Sequence, residues 1–196
     1  MKNNKTNTKN SISNVVFIAF CLFLLFMCYF VPNVWISISI VEHTSMNDTL
    51  VDGDMLITDK LAKANSGDVI VFKYDENNSY IKRVIAVGGE LVFNDVDGNV
   101  WVDKKDGNGA QMLVENYVKN DAEHGTRTYK NYFGSDYLFS YEVPEGQLFV
   151  LGDNRVVSID SRDFGCILES QVTGVVHQFW ITSKKVTNFL FSSKQT

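Results

Sequence analysis

The stretch Ile81-Lys82-Arg83-Val84-Ile85-Ala86-Val87-Gly88-Gly89-Glu90-Leu91-Val92-Phe93 decides the reading of this chain. A run dominated by apolar and β-branched residues meets a glycine pair, and a second apolar run follows. That pattern is strand, tight turn, strand. The same punctuation recurs on both sides. Asp52-Gly53-Asp54 precedes Met55-Leu56-Ile57, and Ser66-Gly67-Asp68 precedes Val69-Ile70-Val71-Phe72. Asp97-Gly98-Asn99 precedes Val100-Trp101-Val102, while residues 147–151 and 172–181 read as further strands. Turn residues at about 8- to 12-residue spacing predict a mainly β fold, a sandwich or open barrel of short strands.

Residues 103–137 interrupt this rhythm. Lys104-Lys105-Asp106-Gly107-Asn108-Gly109 opens a polar, aromatic-bearing excursion that reads as a small inserted lobe without catalytic pattern. His124 falls in it and reads as a solvated loop residue. The expected organisation is a short N-terminus over 1–13 and an anchor over 14–33. A β domain over 34–102 and 138–185, the lobe, and a tail over 186–196 complete it.

Upstream of the strands, no charged residue occurs from Ser11 to Val41, and Val15 to Val31 is rich in Phe and Leu. A spanning helix needs roughly 20 apolar residues, with about 17 as the lower bound, so this run is long enough. It exceeds a signal h-region, and bulky Val34-Trp35-Ile36 follows where a cleavage site would need small residues. An uncleaved anchor in the lipid bilayer is expected. Lys2, Lys5 and Lys9 precede it and Glu42 follows, which by the positive-inside rule keeps the N-terminus cytoplasmic and the remainder outside. Val34-Trp35-Ile36-Ser37-Ile38-Ser39-Ile40 alternates apolar and hydroxyl residues, so a strand over 34–40 is expected almost directly after the anchor.

Of the formal charge of −5, the first 40 residues contribute +3, which leaves −8 for residues 41–196. An acidic body argues against a nucleic-acid partner, since phosphate binding uses clustered Lys and Arg. Cys21 and Cys28 fall in the apolar run, so Cys166 stands alone outside it and is expected to be a small buried residue. No disulfide framework, metal or cofactor is implied.

Ser45 follows the predicted first strand within a few residues, in Glu42-His43-Thr44-Ser45-Met46-Asn47-Asp48-Thr49-Leu50. A serine hydroxyl needs a neighbouring base to become a nucleophile. His177 reads as a strand histidine, and His43, two residues from Ser45, would share its side of an extended segment. No Gly-x-Ser-x-Gly elbow exists. Lys82 is the other candidate: burial among Ile81, Val84 and Ile85 would disfavour its charge and lower its pKa by as much as about 3 to 5 units. An exposed strand lysine beside Arg83 is the plain alternative.

Combined with Gly152-Asp153-Asn154-Arg155, Ser158, Asp160-Ser161-Arg162 and Phe164-Gly165, these pieces resemble the type I signal peptidases, membrane-bound Ser-Lys proteases. The short outer part is closer to Gram-positive bacterial members. The resemblance implies Ser45 as nucleophile, Lys82 as general base and Ser158 as a hydroxyl that orients the amine. Asp153, Arg83, Asp160 and Arg162 match bracing charges, and Met46 matches a residue bordering the pocket before the cleaved bond. The Ser45 backbone N–H would form the oxyanion hole, with His43 at a position tied to it that is often Ser or Gly. Implied partners are exported preproteins with small residues at the −1 and −3 positions. Two alternatives remain: a non-catalytic relative assisting pilus or surface-protein assembly, and a self-cleaving repressor-type Ser-Lys protease.

Overall fold

The computed structural model describes residues 4–47, 49–118 and 138–182. His124, most of the expected lobe and the 186–196 tail lie outside these residues. The chain begins with helix α1 (Asn4–Trp35), of which Asn14–Trp35 is long and apolar enough to cross a membrane. Side chains of residues 14–30 are exposed almost all round, as expected of a helix whose apolar surface the rest of the chain does not cover. The helix continues two residues past the expected anchor end, and Lys60 ties it down there. Its N–H donates to Trp35 O at 2.8 Å and its Nζ to Asn33 O at 3.0 Å. A cation on the last carbonyls of a helix is the favourable arrangement.

The strands follow as β1 (Ile36–Ile40), β2 (Met55–Asp59), β3 (Val69–Lys73), β4 (Ser79–Val87), β5 (Leu91–Asn94), β6 (Val100–Asp103) and β7 (Gln111–Met112). Then come β8 (Ser140–Glu142), β9 (Gln147–Leu151), the one-turn helix α2 (Ser161–Phe164), β10 (Ile167–Leu168) and β11 (Val172–Thr182). The fold is mainly β. Seven strands form one sheet in the order β1-β2-β11-β3-β4-β9-β10, and four form a second in the order β7-β6-β5-β8. All pairs are antiparallel.

Strand β4 is the spine. It pairs with β3 on one side and β9 on the other, and Gly88-Gly89 leads it into β5 of the second sheet. One apolar cluster, including Ile85, Val92, Val102, Phe139 and Phe149, joins the two sheets. Another, with Ile70, Phe72, Val84, Leu148 and Val150, fills the other face of the large sheet. Cys166, expected to be buried, is half-buried against the first cluster.

The second sheet recruits part of the expected lobe: Gln111 and Met112 pair with Val102 and Trp101. Leu113 N then bonds to Val100 O at 2.8 Å, steering residues 113–118 back toward the large sheet.

Candidate active site

Between β1 and β2, residues 41–47 and 49–54 cross the surface without regular structure, yet three side chains fasten them. Val41, Met46 and Leu50 are at most 2% exposed and pack with Leu56, Val71 and Val176. Each buried Met or Leu contributes on the order of 1.5–3 kcal/mol. Met46, expected at the pocket border, is therefore the plug that holds its neighbour Ser45 at the surface. Two backbone bonds complete the hold: Gly53 N to Val41 O and Val41 N to Asp54 O, both 2.8 Å.

His43 does not share an extended strand with Ser45. Its φ is +73°, the left-handed region, and its N–H donates to Asp52 Oδ1 at 3.1 Å. The residue is exposed on the rim of the cleft. The alternation of a strand does not apply where the chain bends.

Lys82 has the opposite setting. It sits inside β4 opposite Ile70, with 4% exposure, and its Nζ reaches Ser45 Oγ at 2.8 Å and Ile81 O at 3.1 Å. The Tyr80 ring lies 5.4 Å from the amine. Burial is the largest influence and lowers the Lys82 pKa from 10.5 to about 8. Asp160 and Asp153 pull the other way, while Arg162 adds to the lowering. The plain alternative of a solvated strand lysine is excluded by this burial.

The four charged residues expected to brace the site form two ion pairs. Arg83 Nε and Nη2 grip both oxygens of Asp153 at 2.9 and 2.7 Å, and Thr49 Oγ1 donates to Asp153 Oδ2 at 2.6 Å. Arg162 grips Asp160 at 2.7 and 2.8 Å. Although burial opposes charge on Asp160, Arg162, the Gly152 N–H and the nearby Ser158 hydroxyl hold its carboxyl below the usual range. Removing one member of such a buried pair costs about 3–5 kcal/mol, because the other charge is left unpaired.

Ser158 is buried beside Asp160, but its Oγ makes no hydrogen bond to Lys82. It presses instead on Gly152. A Cβ placed on Gly152 would lie 2.2 Å from Ser158 Oγ and 2.6 Å from Ser45 O, so only glycine fits between them. From the same loop Asn154 N donates to Ser45 O at 3.0 Å and Asn154 Nδ2 to Thr44 O at 3.1 Å. Residues 152–154 thus cradle the backbone around Ser45.

Two residues with no sequence signal beyond an acid and an aromatic in a mostly apolar stretch complete the surroundings. Glu115, fully buried, accepts hydrogen bonds from both terminal nitrogens of Arg155, and the Tyr117 ring stacks 4.0 Å from the Arg83 guanidinium carbon.

A cleft of about 540 Å³ opens beside Ser45 and Lys82. Ile40, Ile81, Val157 and Ile159 supply apolar wall, and Asn77 and Asn78 a polar edge. A hydroxyl and a buried amine at hydrogen-bonding distance, opening on such a cleft, can carry out acyl transfer.

Comparison with known proteins agrees. The family model for signal peptidase, peptidase S26, matches residues 12–181. The chain is 33% identical to signal peptidase I V of Bacillus subtilis over 142 residues, 69% of this chain and 80% of that one. It is 34% identical to signal peptidase IB of Staphylococcus aureus over 154 residues, 76% of this chain and 80% of that one. The crystal structure of a signal peptidase I from Enterococcus faecalis V583 aligns with a TM-score of 0.47 at 32% identity, covering 59% of this chain and 98% of that one. On the family match and the two sequence relatives, the chain belongs to the signal peptidase family, peptidase S26, and is a serine peptidase.

Proposed function

We propose that the protein is a membrane-bound endopeptidase that removes N-terminal signal peptides from exported preproteins, with Ser45 as nucleophile and Lys82 as general base. The observation that carries this reading is the 2.8 Å approach of the buried Lys82 amine to the Ser45 hydroxyl. The neutral amine accepts the serine proton as Oγ attacks the scissile carbonyl, then returns it to the leaving amine. Water, with Lys82 again as base, releases the signal peptide from the acyl-enzyme. The Ser45 N–H stabilises the oxyanion, where a fixed donor acts on charge as it develops. Small side chains at −1 and −3 are the expected substrate preference.

Helix α1 is the anchor, with the N-terminus cytoplasmic and residues beyond about 35 outside, as the lysines before it and the acid after it support. Precursors would reach the cleft as extended segments at the outer bilayer surface. Ser158, Asp153, Arg83, Asp160 and Arg162 hold the dyad in place, and Met46 seats the nucleophile.

The test is cleavage of a model preprotein by the full-length protein in detergent. Wild type is expected to cut it at one site after a small residue, and Ser45→Ala to leave it intact. Equal cleavage by Ser45→Ala would refute the assignment of the nucleophile, and no cleavage by wild type would turn attention to a role in surface assembly.

A further inference from the structure

Residues 113–118 leave the second sheet and end on Arg155 and Arg83. Glu115 accepts from Arg155 Nη1 at 3.1 Å and from Arg155 Nη2, and both side chains are almost completely buried. Arg155 in turn donates from Nε to Gly152 O at 2.9 Å. Gly152 is the residue wedged against Ser45 O, and Asn154, beside Arg155, donates to that same carbonyl.

A second route runs from the same segment to the base. The Tyr117 ring covers the Arg83 guanidinium at 4.0 Å, and Arg83, next to Lys82 in β4, holds Asp153 with both ends of its fork. Tyr117 Oη donates to Glu115 Oε1 at 3.1 Å, which joins the two routes. Burial and the Glu115 carboxylate push the Tyr117 phenol up, so it remains a donor across the working pH range.

We propose that Glu115 and Tyr117 are positioning residues for the peptidase reaction. Glu115 acts through Arg155 on the loop that fixes Ser45. Tyr117 acts through Arg83 on the strand that fixes Lys82. This rests on the Ser45–Lys82 reading above. A purely structural pair would not need its aromatic member over Arg83, nor its arginine bonded to the backbone that cradles the nucleophile. Small displacements matter in such a site, because reacting atoms must meet within a few tenths of an ångström of the productive geometry.

The experiment compares kcat, KM and thermal midpoint of full-length variants on a model preprotein in detergent, with Ser45→Ala and Lys82→Met alongside. Glu115→Gln and Tyr117→Ala are expected to lower kcat by about ten- to a hundredfold with KM within about twofold. Tyr117→Phe, which keeps the ring over Arg83, should retain most of the rate. Glu115→Leu combined with Arg155→Met removes both buried charges. It should recover the thermal midpoint that Glu115→Gln loses while kcat stays low, since the bond to Gly152 O is gone. Should Glu115→Gln not fold, this double variant supplies the reading for Glu115. Wild-type kcat in folded Glu115→Gln and Tyr117→Ala, or activity returning together with stability in the double variant, would overturn the inference. Cleavage surviving Ser45→Ala or Lys82→Met would instead overturn the dyad.

Discussion

The two members of the proposed dyad stand on very different ground. Lys82 is set into β4, with a strand on either side and 4% exposure, so the sheet itself fixes and dries its amine. Ser45 lies in an irregular crossing, half-exposed, held by the plugs Val41, Met46 and Leu50 from beneath and by residues 152–154 from the side. A base needs a low-dielectric setting, which a sheet interior supplies without special devices. A nucleophile must face substrate, so its position has to be imposed by neighbours. The base should therefore fail by chemistry and the nucleophile by displacement.

Replacing the base tests the first half and gives the largest effect. Lys82→Met should reduce kcat/KM for preprotein cleavage by on the order of a thousandfold or more, as loss of a dyad member does. A loss of less than tenfold would remove Lys82 from the mechanism. The same variant should gain stability. Below about pH 8 the native protein carries the Lys82 charge in a buried place, while the unfolded chain solvates it freely. Native stability consequently rises between about pH 8 and 10.5, where only the unfolded amine keeps its proton. Lys82→Met removes that penalty, so urea unfolding should show a gain of order 3 kcal/mol at pH 7 that disappears above pH 10.5. No gain at neutral pH would mean that the amine is hydrated.

Displacement of the nucleophile is tested by Gly152→Ala, which inserts a methyl group between Ser45 O and Ser158. Overpacking of this kind costs about 1–3 kcal/mol, and a nucleophile moved by about 1 Å loses on the order of a hundredfold in rate. The expected signature is a kcat loss larger than the stability loss accounts for, read from kinetics and thermal melting together. An unchanged rate would mean that the 152–154 cradle does not set Ser45. The smallest effect belongs to His43→Gly. Relief of the left-handed φ is offset by the freedom glycine gains in the unfolded chain, so stability should shift by less than about 1 kcal/mol. The rate should stay within about threefold, whereas a loss near a hundredfold would assign the ring to the oxyanion hole.

The strand-and-turn rhythm was readable because each strand is short, apolar and closed by Gly or Asp. The Met55, Val69, Ile81, Leu91, Val100, Gln147 and Val172 strands all occur where that rhythm places them. Boundaries shifted by one or two residues: α1 runs through Trp35, β1 starts at Ile36 rather than Val34, and β4 starts at Ser79 rather than Ile81; the short strands β7, β8 and β10 carried no such rhythm. Lys82 could be suspected from its β-branched neighbours, yet its burial depends on pairing with Ile70, a contact no local pattern states. His43 misled because the alternation of strands was extended into a bend. Glu115 and Tyr117 were invisible for a different reason. Their partners Arg155 and Arg83 lie 40 and 34 residues away in sequence, and long-range ion pairs leave no periodic trace. A lone buried acid beside apolar residues was the one available clue.

The central claim is that the amine of Lys82 is neutral enough near physiological pH to take the proton of Ser45. Its most direct test is a titration of the Lys82 side chain by carbon NMR at the Cε position in the full-length protein in detergent micelles, with Lys82→Met identifying the signal. A midpoint of about 8 is expected. A midpoint near the 10.5 of an ordinary lysine would contradict the account.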